Sequence, residues 1–490
     1  MTSFINKYFK YIIVLVLVLP LFWHLDSLVI RLWDESRLAS NAYEMYDSGD
    51  YLVTHYEGTP DMWNTKPPLL IWIQVLFMKT IGVNELAIRL PSAIAAFLTI
   101  ITLLNFSLKY LKSFWFGFIS IAILVTSQGY VTLHSTRTGD YDSLLTLFTT
   151  LSCIYFFTHL ETKKIRALYL FATFLALGVL TKSITALLFL PGLFFFTIFT
   201  GQLKNILFNK HTYYSLILFL FIILSFYIPR EIANPGYLNA VWENELGGRY
   251  MNVIEDHGQD FWFYYDNIIG YNFSFWYLLI PCGLFIGIYN KDLKIKQLTI
   301  FSSVLVLSFF LIISFAQTKL HWYDVPMYPF LSIISAVCIK YLYDYLKELN
   351  WANQTLKNNV LPFLFLFLLF IGPYQNVVDR TYKPKETSKE NDSYELSYFL
   401  KGALKENRNL NNQFIVNDSY NAPLRLYVHM LNLKGANIDF KSMSDIEEND
   451  ILIIQQEHVK EFLETNFNVD ILSEDKNVTT YKVYGRKESN

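Results

Sequence analysis

The 490-residue chain is 53% hydrophobic and 18% aromatic, with only 17% charged residues and a net charge of −2. That is too apolar for an ordinary soluble protein, and the near-neutral charge gives no reason to expect a nucleic-acid partner. Cys153, Cys282 and Cys338 all sit in apolar runs, so neither a disulfide framework nor a cysteine-based metal site is expected.

In chain order, Lys7 and Lys10 precede an apolar run at 11–31 with no small-residue cleavage site after it. It reads as a retained signal anchor. Asp34 and Glu35 follow directly. Acidic residues at the mouth of a membrane helix are costly and are usually kept for function. They fit the start of a helix over 36–48, and Asp34 also fits a base that takes the proton of an acceptor hydroxyl. Arg37, one turn on, fits a phosphate partner or a holder of the aspartate. Lys66-Pro67-Pro68 then forces an extended approach to residues 69–78. That stretch is too short to span and reads as an interfacial helix with Trp72 at headgroup level. Lys66 is either a snorkelling lysine or a point-charge contact to a lipid-borne phosphate.

Further spans are expected at 87–108, 114–134, 142–160, 167–181, 184–200, 212–229, 268–289, 297–316, 325–346 and 358–374, about eleven with the first. The loop Arg137-Thr-Gly-Asp140-Tyr-Asp142 precedes the fourth. Asp142 suits a helix N-terminus, and could hold a divalent cation or a lysine such as Lys182. The long loop at 230–267 carries Trp242-Glu243, Arg249 with a bidentate fork suited to phosphate, and an aromatic run at 261–265. Lys319, His321 and Tyr323 open the tenth span, where Lys319 and Tyr323 could line a headgroup site.

The positive-inside rule sets the topology. If 69–78 does not cross, the basic connectors Lys109/Lys112, Lys163/Lys164/Arg166, Lys204/Lys210, Lys291/Lys294/Lys296 and Lys340/Lys347/Lys357 all fall on the cytoplasmic side with the N-terminus. The same parity puts Asp34, Glu35, Arg37, Lys66, the 137–142 loop, Lys182, Arg249 and the 319–323 segment on the outer face of a multi-pass plasma (inner) membrane protein. Residues 1–378 then form a membrane domain. Residues 379–490, polar and alternating in pattern, form an extracytoplasmic α/β domain. No glycine-rich phosphate loop follows its first strand, so no nucleotide is expected.

Taken together, Asp34-Glu-x-Arg37, Ser48-Gly49-Asp50-Tyr51-Leu52, Lys66-Pro-Pro-Leu, Ala87-x-Arg89-Leu-Pro-Ser92, Arg137-x4-Asp142, Trp242-Glu…Arg249 and Lys319…Tyr323…Pro329 resemble the GT-C glycosyltransferases of the protein O-mannosyltransferase and lipid A aminoarabinose transferase type. The resemblance implies inverting transfer from a polyprenyl-phosphate sugar to a lipid, glycan or protein acceptor. Asp34 matches the catalytic aspartate, with Glu35 beside it. Lys66, Arg249, Tyr323 and Arg37 match the donor-phosphate group, and Asp142 matches the acidic residue after the third span. Asp140, Arg137, Lys182, Lys319 and His321 are supporting candidates. The aminoarabinose transferases carry a Glu before Lys-Pro-Pro that helps hold a metal, and here that position is Thr65. A divalent cation, if used, is expected at Asp142, with Asp140 able to compensate. Two rivals are a ligase or polymerase for lipid-linked glycans and a flippase for lipid-linked sugars. The flippase would place charges near the bilayer midplane rather than at its mouth.

Overall fold

The computed structural model describes residues 2–248, 250–253, 256–348 and 360–487. Arg249 and Lys357 lie outside the described residues. Among the described residues, seven helices are long and apolar enough to cross a membrane: Glu85–Leu111, Asp142–Thr162, Ile165–Leu187, Lys210–Ala233, Leu293–Phe315, Val325–Glu348 and Leu361–Tyr382. The shorter apolar helices Tyr8–Leu21, Phe114–Thr126, Leu190–Phe199 and Leu279–Ile288 occupy the other expected spans. The Asp142–Thr162 and Val325–Glu348 helices are largely buried at the centre of the bundle. The Lys210–Ala233 helix shows apolar side chains outward along most of its length, as a lipid-facing helix does. Tyr110, Glu161, Lys294 and Gln297 meet at one end through the Tyr110 hydroxyl and the Lys294 ammonium. Those basic connectors therefore gather away from the residues with chemistry.

The Leu69–Ile81 helix does not extend the bundle. It packs Leu70, Ile71, Val75 and Met78 into a core shared with Leu38, Ala42 and Met45 of the Asp34–Ser48 helix. That core also takes in Leu400, Leu424, Tyr427 and Val428 of the C-terminal domain. The domain begins after the long Leu361–Tyr382 helix. A Thr387/Glu390 capping box starts its first helix, Ser388–Glu406. Its five-stranded sheet runs, edge to edge, Asp439–Phe440, Phe414–Ile415, Ile451–Ile454, Val478–Arg486 and Phe467–Asp475, with the first two pairings parallel and the last two antiparallel.

Four expected spans are shorter than predicted. Those expected at 11–31 and 184–200 end at Leu21 and run only over Leu190–Phe199, respectively. The third helix ends at Thr126, and residues 127–141 form mostly buried turns. Ser127, Ser135, Thr136 and Thr138 are buried there against protein, not lipid. Irregular backbone is tolerated at membrane depth only in such a setting. Likewise, the helix expected at 268–289 is regular only over Leu279–Ile288.

The C-terminal domain holds the segment leading to Asp34. Arg31 forms a bidentate ion pair with Glu386 at 2.8 and 2.7 Å. The Tyr394 and Tyr427 hydroxyls accept from the N–H groups of Leu32 and Ile30, each at 3.0 Å. Tyr427 donates in turn to Glu85 at 3.1 Å. Lys401 pairs with Glu85 at 2.9 Å and donates to the Asp26 carbonyl.

Candidate active site

At the end of the bundle that meets the C-terminal domain, five chain segments converge on one pocket. Asp34 comes from the start of a helix and Lys66 from the loop before the interfacial helix. Asp140, Tyr141 and Asp142 come from the loop and helix after the third span, and Lys182 with Trp322 and Tyr323 completes the wall. The pocket adjoins an apolar groove of about 370 Å³, whose walls include Ile184, Leu188, Trp242, Met251, Ile312 and Ile313. Lys66, Lys182 and Tyr323 line both spaces.

Asp34 is the first residue of its helix, half-buried, with no hydrogen-bond partner among the described residues. Trp33 before it has φ 68° and ψ −110°, a conformation that costs a bulky residue of order 1–3 kcal/mol. Trp33 stacks on Tyr420 of the C-terminal domain at 4.9 Å, which helps to hold that turn.

Glu35 points elsewhere, since successive helical residues lie about 100° apart. It is fully buried and grips Arg89 at 2.7 and 2.8 Å. It also accepts from the N–H groups of Arg31 and Gly139, both at 2.8 Å. Burial opposes its charge, but the Arg89 guanidinium and these N–H groups outweigh that and hold its pKa below the usual range. Arg89 spends its other donors on the carbonyls of Leu25, Leu28 and Val29. Glu35 thus ties three segments together and does not line the pocket, which corrects its expected catalytic role.

Arg37 also differs from expectation. Its guanidinium is held by Asp61 through two bonds of 2.8 Å and lies 3.5 Å from the Tyr56 ring centre, so it does not face the pocket as a phosphate ligand. Asp61 accepts from Asn41 and from the N–H groups of Trp63 and Asn64. Asn64 then donates to Tyr141 at 3.0 Å. This chain of bonds fixes the Lys66 loop relative to the Asp140–Asp142 loop. Lys66 itself contacts Glu245 at 3.2 Å.

Asp142 places both oxygens on Lys182 Nζ, at 2.7 and 2.8 Å. Of its two expected partners, the lysine is the one in contact with it. Lys182 lies 5.0 Å from the Tyr323 ring centre. Arg137 points away and donates to the carbonyls of Pro20, Trp23 and His24 where the first helix ends. Burial without a carboxylate partner lowers its pKa to about 10. Lys319 donates to the Gln259 carbonyl at 2.8 Å and pins the outer loop. His321 contacts Asn267 at 3.0 Å, in a corner built on the buried Asp324. Lys319 and His321 therefore shape the rim and do not line the pocket.

One neighbour carries no motif. His134 lies in the turns at 127–141, where hydropathy predicts the end of a span. Its ring stacks on Trp322 at 3.9 Å and 8°, and its Nδ1 lies 3.4 Å from Asp140 Oδ2. Its ligand-capable nitrogen and one oxygen each of Asp34 and Asp140 lie within 4.8 Å of one another. Burial opposes the charge on His134, but Asp140, Asp34 and Glu35 outweigh it and raise its pKa. The Asp140 carboxyl is also raised, first by burial and then by Asp34 and Glu35, against the pull of His134. The one sequence signal for His134 is its position six residues before Asp140 in a Ser/Thr-rich stretch.

Comparisons with known proteins agree with this architecture. The family described as dolichyl-phosphate-mannose-protein mannosyltransferase matches residues 65–228. An uncharacterized protein of Aquifex aeolicus is 27% identical over 366 residues, covering 74% of this chain and 68% of that protein. The undecaprenyl phosphate-alpha-4-amino-4-deoxy-L-arabinose arabinosyl transferase 1 of Proteus mirabilis is 25% identical over 338 residues, covering 67% of this chain and 59% of that enzyme. The chain thus spans less than two thirds of the Proteus transferase. Among solved structures, ArnT from Cupriavidus metallidurans bound to undecaprenyl phosphate superposes with a TM-score of 0.73 at 13% identity, over 97% of this chain and 98% of that one. The Archaeoglobus fulgidus oligosaccharyltransferase superposes with a TM-score of 0.56 at 11% identity, over 89% of this chain and 64% of that one. In its matched segment and in its fold, the chain is similar to the GT-C glycosyltransferases of the ArnT and protein O-mannosyltransferase type.

Proposed function

We propose that this enzyme transfers a single sugar from a polyprenyl-phosphate donor to a hydroxyl of a lipid, glycan or protein acceptor, on the extracytoplasmic face of the membrane. One observation carries the reading: an apolar groove and a charged pocket share Lys66, Lys182 and Tyr323 at their seam. A donor with a greasy tail, a phosphate and a sugar has that same sequence of properties. The prenyl chain lies in the groove, the phosphate meets the cations, and the sugar reaches toward Asp34. Arg249 stays in this proposal as a second phosphate contact, on the resemblance alone. The Proteus relative, named for undecaprenyl phosphate-linked aminoarabinose, and the ArnT structure with bound undecaprenyl phosphate support the donor class.

The reaction needs little covalent help from the protein. The acceptor oxygen attacks the anomeric carbon from the face opposite the phosphate. The bond from that carbon to the phosphate oxygen breaks, and its electron pair leaves with the lipid phosphate. The acceptor proton passes to Asp34. Lys66 neutralises the charge that grows on the leaving phosphate. Charges at the mouth of the bundle rather than its middle favour this enzyme over a flippase.

Asp34→Asn tests the reading. We expect transfer to fall by about 10²–10⁴-fold, the span of a lost general base, with no change in yield or melting temperature. Full activity in that variant removes Asp34 as base. Lys66→Ala is expected to act chiefly through donor KM, and an unchanged donor KM removes it from the phosphate site. Mass analysis of the product separates addition of one sugar from transfer of a whole glycan.

A further inference from the structure

We propose that the bundle binds one anionic phospholipid between its first, third and last spans, separate from the donor groove, with the phosphate headgroup in a cationic pocket and an acyl chain in an apolar crevice below it. The pocket, of about 470 Å³, opens where these helices end beside the C-terminal domain. Its walls include His24 and Leu28 after the first helix, Val131 and Arg137 after the third, and Arg380 and Lys383 at the end of the last. It shares no lining residue with the Asp34 pocket or the donor groove. Further along the same three helices lies the crevice, of about 240 Å³, with Leu17, Ala122, Phe367, Phe370 and Ile371 in its walls. Tyr374 stands at its near end, five residues before Asp379, and so about 8 Å from the pocket along the helix. A charged pocket and an apolar crevice in line along one set of helices match a headgroup above a chain. A free phosphate would use only the first.

The pocket's charge is incompletely neutralised. Arg31, Arg89, Arg137, Arg380, Lys383 and Lys385 line it against Asp379 and Glu390. Glu386 and Glu35, outside it, hold Arg31 and Arg89. With all four carboxylates counted, two positive charges are left over. Arg137 is 8% exposed and gives its donors to the carbonyls of Pro20, Trp23 and His24, which bear no net charge. Arg380 donates through Nε to the Asn376 carbonyl at 3.3 Å, and its buried Nη2 has no hydrogen-bond partner among the described residues. Arg31, 3% exposed, likewise leaves its Nε without a hydrogen bond. Buried donors left unmade are costly. Phosphate oxygens suit them, because a guanidinium presents its N–H groups as a fork that matches phosphate.

Depth favours a lipid over a soluble anion. Beside the pocket, Trp23 and Tyr382 pack edge to face, 5.6 Å apart and at 73°. Such aromatic residues mark the membrane–water interface, and basic pockets between spans are where anionic head groups bind. A lipid here would tie the exit of the first helix to the end of the last. It would also offset the charge on Arg137, three residues before Asp140. Its role is architectural, and the binding does not rest on the transferase reading.

The test uses the full-length chain purified and delipidated in detergent. Native mass spectrometry follows retention of dioleoyl-phosphatidylglycerol against dioleoyl-phosphatidylcholine. One phosphatidylglycerol per chain is expected to be held at least tenfold more tightly than phosphatidylcholine. Lys383→Gln with Lys385→Gln, both at exposed positions, is expected to weaken that retention by about 25-fold, at roughly fivefold for each charge removed. Lys204→Gln with Lys210→Gln, on a connector at the other end of the bundle, is expected to leave it unchanged. Equal retention of the two lipids, or an equal loss in both lysine pairs, overturns the site. Ile371→Trp, which narrows the crevice from an exposed position, is expected to weaken retention as well, and unchanged retention removes the acyl chain from the crevice. A melting temperature raised by inorganic phosphate but not by phosphatidylglycerol would identify a site for a free anion and overturn the lipid assignment.

Discussion

Replacing Glu35 by Gln removes the charge facing the Arg89 guanidinium at 2.7 and 2.8 Å, with both side chains buried. Breaking a buried pair strands the other charge, at a cost of about 3–5 kcal/mol. We therefore expect Glu35→Gln to lower the melting temperature sharply, with activity falling in proportion to folded protein. Asp34→Asn next to it should melt like the wild type while its transfer falls by about 10²–10⁴-fold. A double substitution, Glu35→Leu with Arg89→Leu, should recover part of the lost stability, because it leaves no buried charge alone. A Glu35→Gln variant that melts normally yet does not react would return Glu35 to the chemistry. The sequence places both acids at the mouth of a span, but it holds nothing to divide their roles. That division depends on Arg89, 54 residues away, and on the N–H of Gly139, which only the fold brings together.

Between the third and fourth spans, the loop shows how far a local pattern reaches. Arg137-x4-Asp142 is legible as a charged segment, whereas the turns at 127–134 read as the end of a span because Val131 and Leu133 raise their hydropathy. Tyr130 and Val131 are apolar because the loop packs inside protein. A pattern of period and polarity cannot tell burial in protein from burial in lipid, so nothing in it singles out His134. Arg37 and Asp142 are legible as functional types, but their ion pairs are not, since Asp61 and Lys182 are distant in sequence. Gly139 shows the packing limit most clearly. A Cβ there would lie 2.3 Å from Ile88 Cγ2 and 2.8 Å from the Ile88 carbonyl oxygen, and the second of these cannot move without the helix. Gly139→Ala should cost about 1–3 kcal/mol as an overpacking change. It should also displace Asp140 and so reduce kcat more than donor KM. A variant with normal stability and kcat would show that the loop has slack at this point.

On the scale of the whole molecule, the bundle brings its chemistry to one end and its basic connectors to the other. That separation is legible from lysine and arginine placement alone, because orientation depends on charge near span ends and not on packing. The C-terminal domain is legible as a domain but not as a clamp. Its grip on residues 25–34 runs through Tyr394, Tyr427, Glu386 and Lys401, none of which carries a motif. The proposed face of the membrane follows from the same charges and can be tested independently of catalysis. Glu474 is exposed on the C-terminal sheet and Lys291 is exposed on a basic connector. In a background with Cys153, Cys282 and Cys338 replaced, Glu474→Cys should react with a membrane-impermeant maleimide on intact spheroplasts. Lys291→Cys should react only after permeabilisation. The reverse pattern would put the pocket on the cytoplasmic side, and the donor would then have to be used on the face where polyprenyl-phosphate sugars do not need to cross. Labelling of both positions on intact cells would mean an even number of crossings between Lys291 and Glu474, and would remove one of the three spans expected there, at 297–316, 325–346 and 358–374.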